Sequence, residues 1–301
     1  MGMLLNGKWS SAVNRSMTEG RFVREDSSLH QLLAPSGNFG SDIRRDQLVL
    51  VASKSCPWSH ATAIAHAINE LDALIPIQVA CGPRIEGYQV AVKGPLTNDY
   101  RHIHQLYTET DSAFTGRATV PLLWDWSEKK IICNDSTAIL RFFDLIGSHS
   151  KLRPSSFLDE IDDLLAMIYD GLSNAVYRAG KAQRQDEYQE AVDLVFATME
   201  ELDERLRSQR FLVTRNLTEP DIRLFATLVR FDSVYATHFR CTRHRLVDFP
   251  NLWRYAREIY LMPSIRKTVD FGAIRSGYYL NDGHHNPFGI IAEQPVLDWS
   301  L

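Results

Sequence analysis

The strand patterns of this chain end near residue 150, and only helical patterns follow them. In the first half, a buried apolar run, a helical pattern and a second apolar run are followed by a hairpin and another helix, which predicts a mixed sheet covered by helices. The predicted strands lie at about 48–52, 75–79, 120–125 and 130–133, and the predicted helices lie at about 57–71 and from 137 onward.

Four helical segments are predicted in the second half. The third follows 218–221, where Thr, Glu, Pro and Asp have the spacing of a capping box. The segments span about 158–179, 188–206, 222–238 and 250–261. We therefore predict a polar extension over 1–46, an α/β domain over 47–148, and an all-α domain with a tail over 149–301.

The overall charge of the chain argues against nucleic acid or another polyanion as a partner. The 301 residues carry a formal net charge of −4 and a pI near 6.2, and the sequence has no basic stripe with interleaved aromatic residues. No apolar run approaches the roughly 18 residues that a membrane-spanning helix needs, and the first residues lack the pattern of a signal peptide. We predict a cytoplasmic protein that binds neither nucleic acid nor a membrane.

The cysteines indicate a reducing compartment and give no sign of a metal site. Neither a CxxC pair nor a zinc-binding spacing occurs among the four, which are Cys56, Cys81, Cys133 and Cys241. The side chains of His284 and His285 diverge because the two residues are adjacent. No metal is therefore expected.

One cysteine lies where a reactive thiol is expected. Cys56 follows the predicted strand 48–52 and precedes the predicted helix 57–71, at the positive end of the helix dipole and beside unpaired backbone N–H groups. Both features favour the thiolate, which is the nucleophilic form, and Pro57 fits the first helical turn. The alternative is a small buried cysteine that only packs, because cysteine is among the residues most often buried.

Three features occur in a characteristic order in the first half of the chain. Cys56 lies at a strand-to-helix junction, Val120-Pro121 opens a strand, and Asp135-Ser136 opens a helix. This order resembles the thioredoxin-like half of a glutathione transferase. The resemblance implies a cis Val120-Pro121 peptide whose flanking backbone pairs with glutathione. It also implies that Asp135 and Ser136 bind the γ-glutamyl end of glutathione, with Asp135 meeting its ammonium group.

Longer segments narrow the resemblance to one class. The chain is similar over nearly its whole length to the glutathionyl-hydroquinone reductases, also called the xi class of glutathione transferases. The similar segments are 20–24, 115–125, 217–225, 227–232, 234–239 and 286–291. The resemblance implies a thioredoxin-like domain over 47–148, a glutathione-transferase helical bundle over 149–301, and a homodimer.

The class implies a reductive reaction in which glutathione is the co-substrate. The thiolate of Cys56 attacks the sulfur of a glutathionyl-hydroquinone, which releases the hydroquinone and leaves a Cys56–glutathione disulfide. A second glutathione then resolves that disulfide to oxidised glutathione. The departing aromatic carbon takes a proton with the help of two tyrosines, which match Tyr177 and Tyr278 here. Trp58 and Tyr279 are expected in the substrate pocket.

The sequence departs from the class around this pocket. Ser59 and Ala61 replace an Ala and an Arg after the cysteine, and the lost Arg removes a cation near the sulfur. Tyr88 stands where the class stacks a Trp on glutathione, and Gly277 replaces a His before the second tyrosine. These changes keep the cysteine chemistry and leave the identity of the aromatic substrate open.

Two other functions fit the same residues. One is a broader omega-like thioltransferase or an aryl-ether-cleaving glutathione transferase, which the altered pocket allows. The other is a non-catalytic, glutathione-transferase-like binding protein in which Cys56 is unreactive.

Overall fold

The computed structural model describes residues 2–11, 17–24, 27, 29, 33, 43–147, 151–293 and 296–300. Much of the extension predicted over 1–46, and the domain boundary predicted at 148, lie outside the described residues. The chain divides into two units of contiguous packing. The first comprises Met1–Arg15, Glu25–Ser150 and Asp270–Gly289, and the second comprises Ser16–Arg24, Lys151–Val269 and Ile290–Leu301.

Strands and helices are numbered along the chain. The strands are β1 (Met3–Leu5), β2 (Lys8–Ser10), β3 (Met17–Thr18), β4 (Arg21–Phe22), β5 (Leu48–Ala52), β6 (Ile77–Cys81), β7 (Gln89–Val90), β8 (Leu122–Asp125) and β9 (Lys130–Cys133). The helices are α1 (Pro57–Ile68), α2 (His104–Thr110), α3 (Ser136–Ile146), α4 (Leu158–Ile168), α5 (Ala175–Lys181), α6 (Gln185–Arg205), α7 (Glu219–Arg230), α8 (Pro250–Tyr260), α9 (Pro263–Arg266) and α10 (Phe271–Tyr279).

A five-stranded mixed sheet of order β7-β6-β5-β8-β9 forms the centre of the first unit. All five residues of β5 are buried, which explains why this strand is a continuous apolar run instead of an alternating one. β5 pairs parallel with β6 and antiparallel with β8, as the strand–helix–strand unit followed by a hairpin predicts. The predicted α/β architecture of this part is confirmed.

The strand register brings four chain segments to one edge of the sheet. Val51 pairs with Leu122 and Leu123 pairs with Cys133, so the chain leaving β5, the chain entering β8 and the chain leaving β9 meet there. β6 runs parallel to β5, so the segment after Cys81 starts at the same edge. Each of these four segments contains predicted site residues.

The polar stretch over about 82–116 contains two short elements that the sequence analysis does not predict. It contains β7, which pairs with β6, and the two-turn helix α2, in which Leu106 and Tyr107 are buried. Because both elements are short, neither shows enough of its period in the sequence to be recognised.

The last helix belongs to the first unit. The carboxylate of Asp270 caps α10 by accepting a hydrogen bond from the backbone N–H of Ala273 at 2.9 Å, and it also accepts one from Lys54 Nζ at 3.0 Å. The backbone N–H of Arg84 donates to Asn281 Oδ1 at 2.7 Å. These contacts explain why residues 270–289, which the sequence-based division assigns to the helical domain, pack with the sheet.

Helices make up most of the second unit. The predicted helix over 158–179 is divided into α4 and α5 by a π-helical turn at Tyr169–Ser173, and a second π-helical turn at Phe231–Tyr235 follows α7. The predicted capping box is present, since Asp221 Oδ2 accepts from the N–H and the hydroxyl of Thr218 at 2.8 and 2.6 Å. None of the helices in the described ranges has the length and apolar character that crossing a membrane requires.

Candidate active site

Cys56 lies directly before α1, as the sequence predicts. It is the N-cap residue of the helix, and Pro57 is at the first helical position, where its missing N–H costs no hydrogen bond. Cys56 is half-buried. The Cys56 Sγ is therefore placed at a helix N-terminus, where the dipole stabilises a negative charge.

The other three cysteines are in environments that favour the neutral thiol. Burial raises the pKa of the Cys133 and Cys241 thiols to about 12, and it also raises the pKa of Cys81. Cys133 and Cys241 are buried, whereas Cys81 is exposed overall and only partly desolvated. These three cysteines thus differ in environment from Cys56, which is half-buried and is the N-cap of α1.

The Val120-Pro121 peptide is cis and lies beside the Cys56 sulfur. Cys56 Sγ is 3.5 Å from the carbonyl oxygen of Val120. Both Val120 and Pro121 are buried, and Leu122 immediately starts β8. The sheet therefore fixes the backbone that faces the sulfur.

Asp135 and Ser136 open α3, as predicted. Asp135 Oδ1 accepts a hydrogen bond from the backbone N–H of Ala138 at 2.7 Å, which makes Asp135 the N-cap, and Ser136 is the first helical residue. Asp135 is half-buried. The capping bond holds one carboxylate oxygen at the helix terminus, a position suited to binding a small ligand.

Tyr107 connects these two segments, and the sequence analysis missed its role. The buried Tyr107 hydroxyl donates to the carbonyl oxygen of Thr119 at 2.9 Å and accepts from the backbone N–H of Thr119 at 3.1 Å. It also accepts from Asn134 Nδ2 at 3.1 Å. Thr119 precedes Val120 and Asn134 precedes Asp135, so one phenol fixes both segments. A tyrosine in a short, unrecognised helix gave no signal of this role.

Tyr88, in the segment that follows β6, is buried, with 9% of its surface exposed. The guanidinium carbon of Arg84 lies 4.2 Å from the centre of the Tyr88 ring, and Arg84 also donates to Ser55 Oγ at 2.8 Å. Burial raises the pKa of Tyr88 to about 12, although the Arg84 charge opposes this shift; Cys56 and Tyr278 are close enough to add to it. One face of the Tyr88 ring is therefore occupied by Arg84, a cation that the sequence analysis did not single out.

Helix α10 brings Tyr278 to the same place. A Cβ atom on Gly277 would lie 2.2 Å from Ser55 Cβ and 2.5 Å from Ser55 Oγ, so the helix backbone packs against the residue next to Cys56. Tyr278 is half-buried, whereas Tyr279 is buried and 4% exposed. Within the first unit, the structure thus brings together Cys56, Tyr88 and Tyr278.

Tyr177 belongs to the second unit, in α5. Its ring is surrounded by aromatic side chains, and the Arg24 guanidinium carbon lies 5.0 Å from its centre. The surrounding rings are those of Phe22, Tyr235 and Phe239, at centroid distances of 6.1, 6.0 and 5.1 Å. Arg24 Nε donates to Asn174 Oδ1 at 2.9 Å, which fixes the guanidinium on the ring. The segment 20–24, noted above for its sequence similarity, therefore packs against the Tyr177 ring through Phe22 and Arg24.

Trp58 lies in the first turn of α1 and is half-buried. Two residues further on, His60 is buried, with 2% of its surface exposed. Trp58 thus lies two residues after Cys56 in the same helix turn.

Comparisons with known proteins agree with this geometry. A family model described as the C-terminal domain of glutathione S-transferase matches residues 185–258. Glutathionyl-hydroquinone reductase YqjG of Escherichia coli (strain K12) is 36% identical, and the alignment covers 99% of this chain and 96% of that protein.

Solved structures extend the comparison to the whole chain. The glutathione-bound structure of YqjG, a glutathione transferase homologue from Escherichia coli K-12, has a TM-score of 0.86 and 35% identity, and covers 100% of this chain and 97% of that one. The xi class glutathione transferase from Natrialba magadii has a TM-score of 0.91 and 33% identity, with 100% and 96% coverage. The similarity thus includes both units.

Proposed function

Because the chain belongs to the glutathionyl-hydroquinone reductases, the xi class of the glutathione transferases, we propose that it removes glutathione from glutathionyl-hydroquinone-like aromatics. Glutathione is the co-substrate, and the reaction passes through a disulfide between Cys56 and glutathione. The observation that carries the proposal is the placement of Cys56 at the N-terminus of α1, with its sulfur 3.5 Å from the Val120 carbonyl of a cis peptide.

Glutathione is proposed to bind along the sheet edge that the four segments share. Its backbone would pair with the chain at Val120-Pro121, and its glutamyl ammonium would meet Asp135, whose carboxylate already caps α3. Ser136 and the N-terminus of α3 would bind the glutamyl carboxylate, because a helix terminus offers unpaired N–H groups. Tyr88 is proposed to contact glutathione through the ring edge and face that Arg84 leaves open.

The chemical steps balance with these residues. The Cys56 thiolate attacks the conjugate sulfur, an S–S bond forms, and the aromatic carbon–sulfur bond breaks. The electron pair that stays on the aromatic carbon takes a proton from a phenol, for which Tyr278 and Tyr177 are the proposed donors. The thiolate of a second glutathione then attacks the mixed disulfide, which yields oxidised glutathione and regenerates Cys56.

A direct assay tests this function. The purified protein is incubated with glutathione and a glutathionyl-hydroquinone, and free hydroquinone and oxidised glutathione are quantified. The two products are expected in equal amounts. Cys56→Ala is expected to abolish turnover, and the exposed cysteine variant Cys81→Ser is expected to retain it. Absence of turnover in the native protein, or full turnover in Cys56→Ala, would rule the proposal out.

Two measurements separate this function from its alternatives. A broader thioltransferase would favour a simple mixed disulfide over the aromatic conjugate, and an aryl-ether-cleaving enzyme would favour an aryl ether. The ratio of the kcat/KM values for each pair of substrates measures this preference. A non-catalytic binding protein would have a Cys56 that resists iodoacetamide at about pH 6, where only an activated thiolate reacts. A homodimer and a cytoplasmic location stay predictions; light scattering after gel filtration tests the first.

A further inference from the structure

Three side chains with metal-binding groups come together away from Cys56, on the segments around β7 and α2. They are Glu86, His102 and His104, and one ligand atom from each lies within 4.8 Å of the other two. No sequence spacing indicates this cluster, because Glu86 is separated from the two histidines by β7 and the turn that follows it.

The backbone brings these residues together by pairing two segments. The N–H of Val90 donates to the carbonyl of Arg101 at 2.9 Å, and the N–H of Ile103 donates to the carbonyl of Tyr88, also at 2.9 Å. Gln89 and His102 form an antiparallel bridge. Main-chain hydrogen bonds on both sides of His102 thus fix the backbone of the two segments beside the cluster.

Both imidazoles have a buried nitrogen without a partner. His102 Nδ1 and His104 Nε2 are inaccessible to solvent and have no hydrogen-bond partner among the described residues. A buried polar atom without a partner is costly, and the great majority of such atoms in native proteins are satisfied. Because His102 Nε2 is the ring nitrogen near Glu86, the unpartnered nitrogen that an ion in this cluster would satisfy is His104 Nε2.

The two rings are held in place, and the carboxylate faces solvent. The Trp9 ring stacks on His104 with centroids 5.1 Å apart, and His102 stacks on His104 at 5.3 Å. Glu86 Oε2 lies 3.8 Å from His102 Nε2, and the Glu86 side chain is 58% exposed. An ion could therefore enter from the Glu86 side and meet two preoriented imidazoles.

We propose that Glu86, His102 and His104 bind a divalent transition-metal ion such as Zn²⁺. Zinc bonds to His nitrogen and carboxylate oxygen are about 2.0–2.2 Å long, so the donor atoms of a tetrahedral site lie roughly 3.3 Å apart. Zinc binding therefore requires Glu86 and the two rings to rotate until their donor atoms, which now lie within 4.8 Å of one another, reach this spacing. Imidazole ligands favour zinc, copper or nickel over magnesium or calcium, and water completes the coordination.

A metal ion at this site would link the segment that contains Arg84 and Tyr88 to the segment that contains the two histidines. Glu86 lies between these two residues, and the histidines lie at the start of α2, which also contains Tyr107. A bound ion would cross-link the two segments and stabilise the folded protein, because an ion that binds only the native state shifts the unfolding equilibrium. The inference does not rest on the proposed reaction.

Calorimetric titration of tag-free, metal-free protein with Zn²⁺ tests the site. One ion per chain is expected to bind and to raise the melting temperature. Glu86→Gln and His104→Gln are each expected to weaken binding about tenfold or more. The double variant His284→Ala/His285→Ala, which removes two imidazoles outside the cluster, should bind zinc as the native protein does.

Cobalt spectra identify the ligands independently of affinity. Co²⁺ is expected to give visible d–d bands without a thiolate charge-transfer band, and Glu86→Gln should change those bands while its circular dichroism stays native, because Glu86 is exposed. Any of three results would overturn the proposal: no zinc uptake, equal affinity in Glu86→Gln, His104→Gln and the native protein, or a thiolate band showing that cysteine binds the ion.

Discussion

Tyr107 accepts a hydrogen bond from the side-chain amide of Asn134 at 3.1 Å, and through it the two predicted glutathione-binding segments share one buried phenol. The same hydroxyl holds both the N–H and the carbonyl of Thr119, the residue before Val120. Burial raises the pKa of Tyr107, so its proton stays available for donation. The spacing between Pro121 and Asp135 therefore depends on a residue that need not touch the ligand.

Tyr107→Phe is expected to weaken both stability and glutathione binding. Removal of the hydroxyl takes away the partner of the Thr119 backbone N–H and of the buried Asn134 amide, and loss of the partner of a buried group costs about 1–3 kcal/mol of the free energy of unfolding. Urea denaturation measures this loss, and the KM for glutathione should rise more than kcat falls. Tyr100→Phe, at a half-buried tyrosine of the same unit, is the control. An unchanged KM in Tyr107→Phe would contradict the positioning role.

Asp135→Asn separates the capping role of Asp135 from its proposed charge role. Asn caps a helix about as well as Asp, so the melting temperature should stay near the native value. The lost ion pair with the glutamyl ammonium should raise the KM for glutathione by about tenfold, since hydrogen bonds to charged groups contribute about 1.5–3 kcal/mol. Asp135→Ala should lower both affinity and stability. Equal KM values for Asp135→Asn and the native enzyme would exclude the ion pair.

Gly277→Ala should disturb the packing of α10 on Ser55, the residue before Cys56. The new methyl group would lie 2.2 Å from Ser55 Cβ, so the helix carrying Tyr278 must shift, at a cost of about 1–3 kcal/mol. Gly272→Ala is a matched control in the same helix, where the nearest atom, an Asp270 oxygen, is 3.5 Å away. Thermal melts and kcat/KM are compared for both variants. The idea fails if the two behave alike.

Tyr88 gives a pH-dependent contribution to stability. Burial raises its pKa from about 10 to about 12, so the folded state holds the phenolic proton more tightly than the unfolded chain does. This contribution is complete below pH 10 and is lost as the pH rises toward 12. As the pH rises from about 9 to about 11, the free energy of unfolding of the native protein should fall by about 1 kcal/mol more than that of Tyr88→Phe. Urea denaturation at each pH measures this difference. If the free energies of unfolding of the two proteins fell in parallel, burial would not raise the pKa of Tyr88.

The sequence predicts those parts of the fold whose local pattern and tertiary environment agree. β5 is apolar throughout because both faces are buried, and the capping box at Thr218 acts through residues three apart. The short elements β7 and α2 could not be predicted, because they are stabilised by partners distant in sequence. The π-helical turn at Tyr169–Ser173 was missed for a related reason, since apolar spacing alone does not register one extra residue in a helical turn.

For the site, the sequence identifies residues with strong local signatures and misses those that act through the fold. Cys56 and Asp135 were recognisable because each precedes a helix. Arg84 and Tyr107 were not, because their hydrogen bonds to Ser55 and Thr119 join residues at least 12 positions apart in the sequence. The contact between Gly277 and Ser55 likewise depends on the fold alone.

The packing of Asp270–Gly289 with the sheet has a consequence for synthesis of the chain. When the ribosome has released the sheet and Cys56, the helix that carries Tyr278 is not yet translated, so a nascent chain cannot assemble the pair. A premature stop codon after Val269 would leave Cys56 in the protein but remove the glycine that packs on Ser55. Cys56 and Tyr278 can thus be brought together only after translation has passed residue 278.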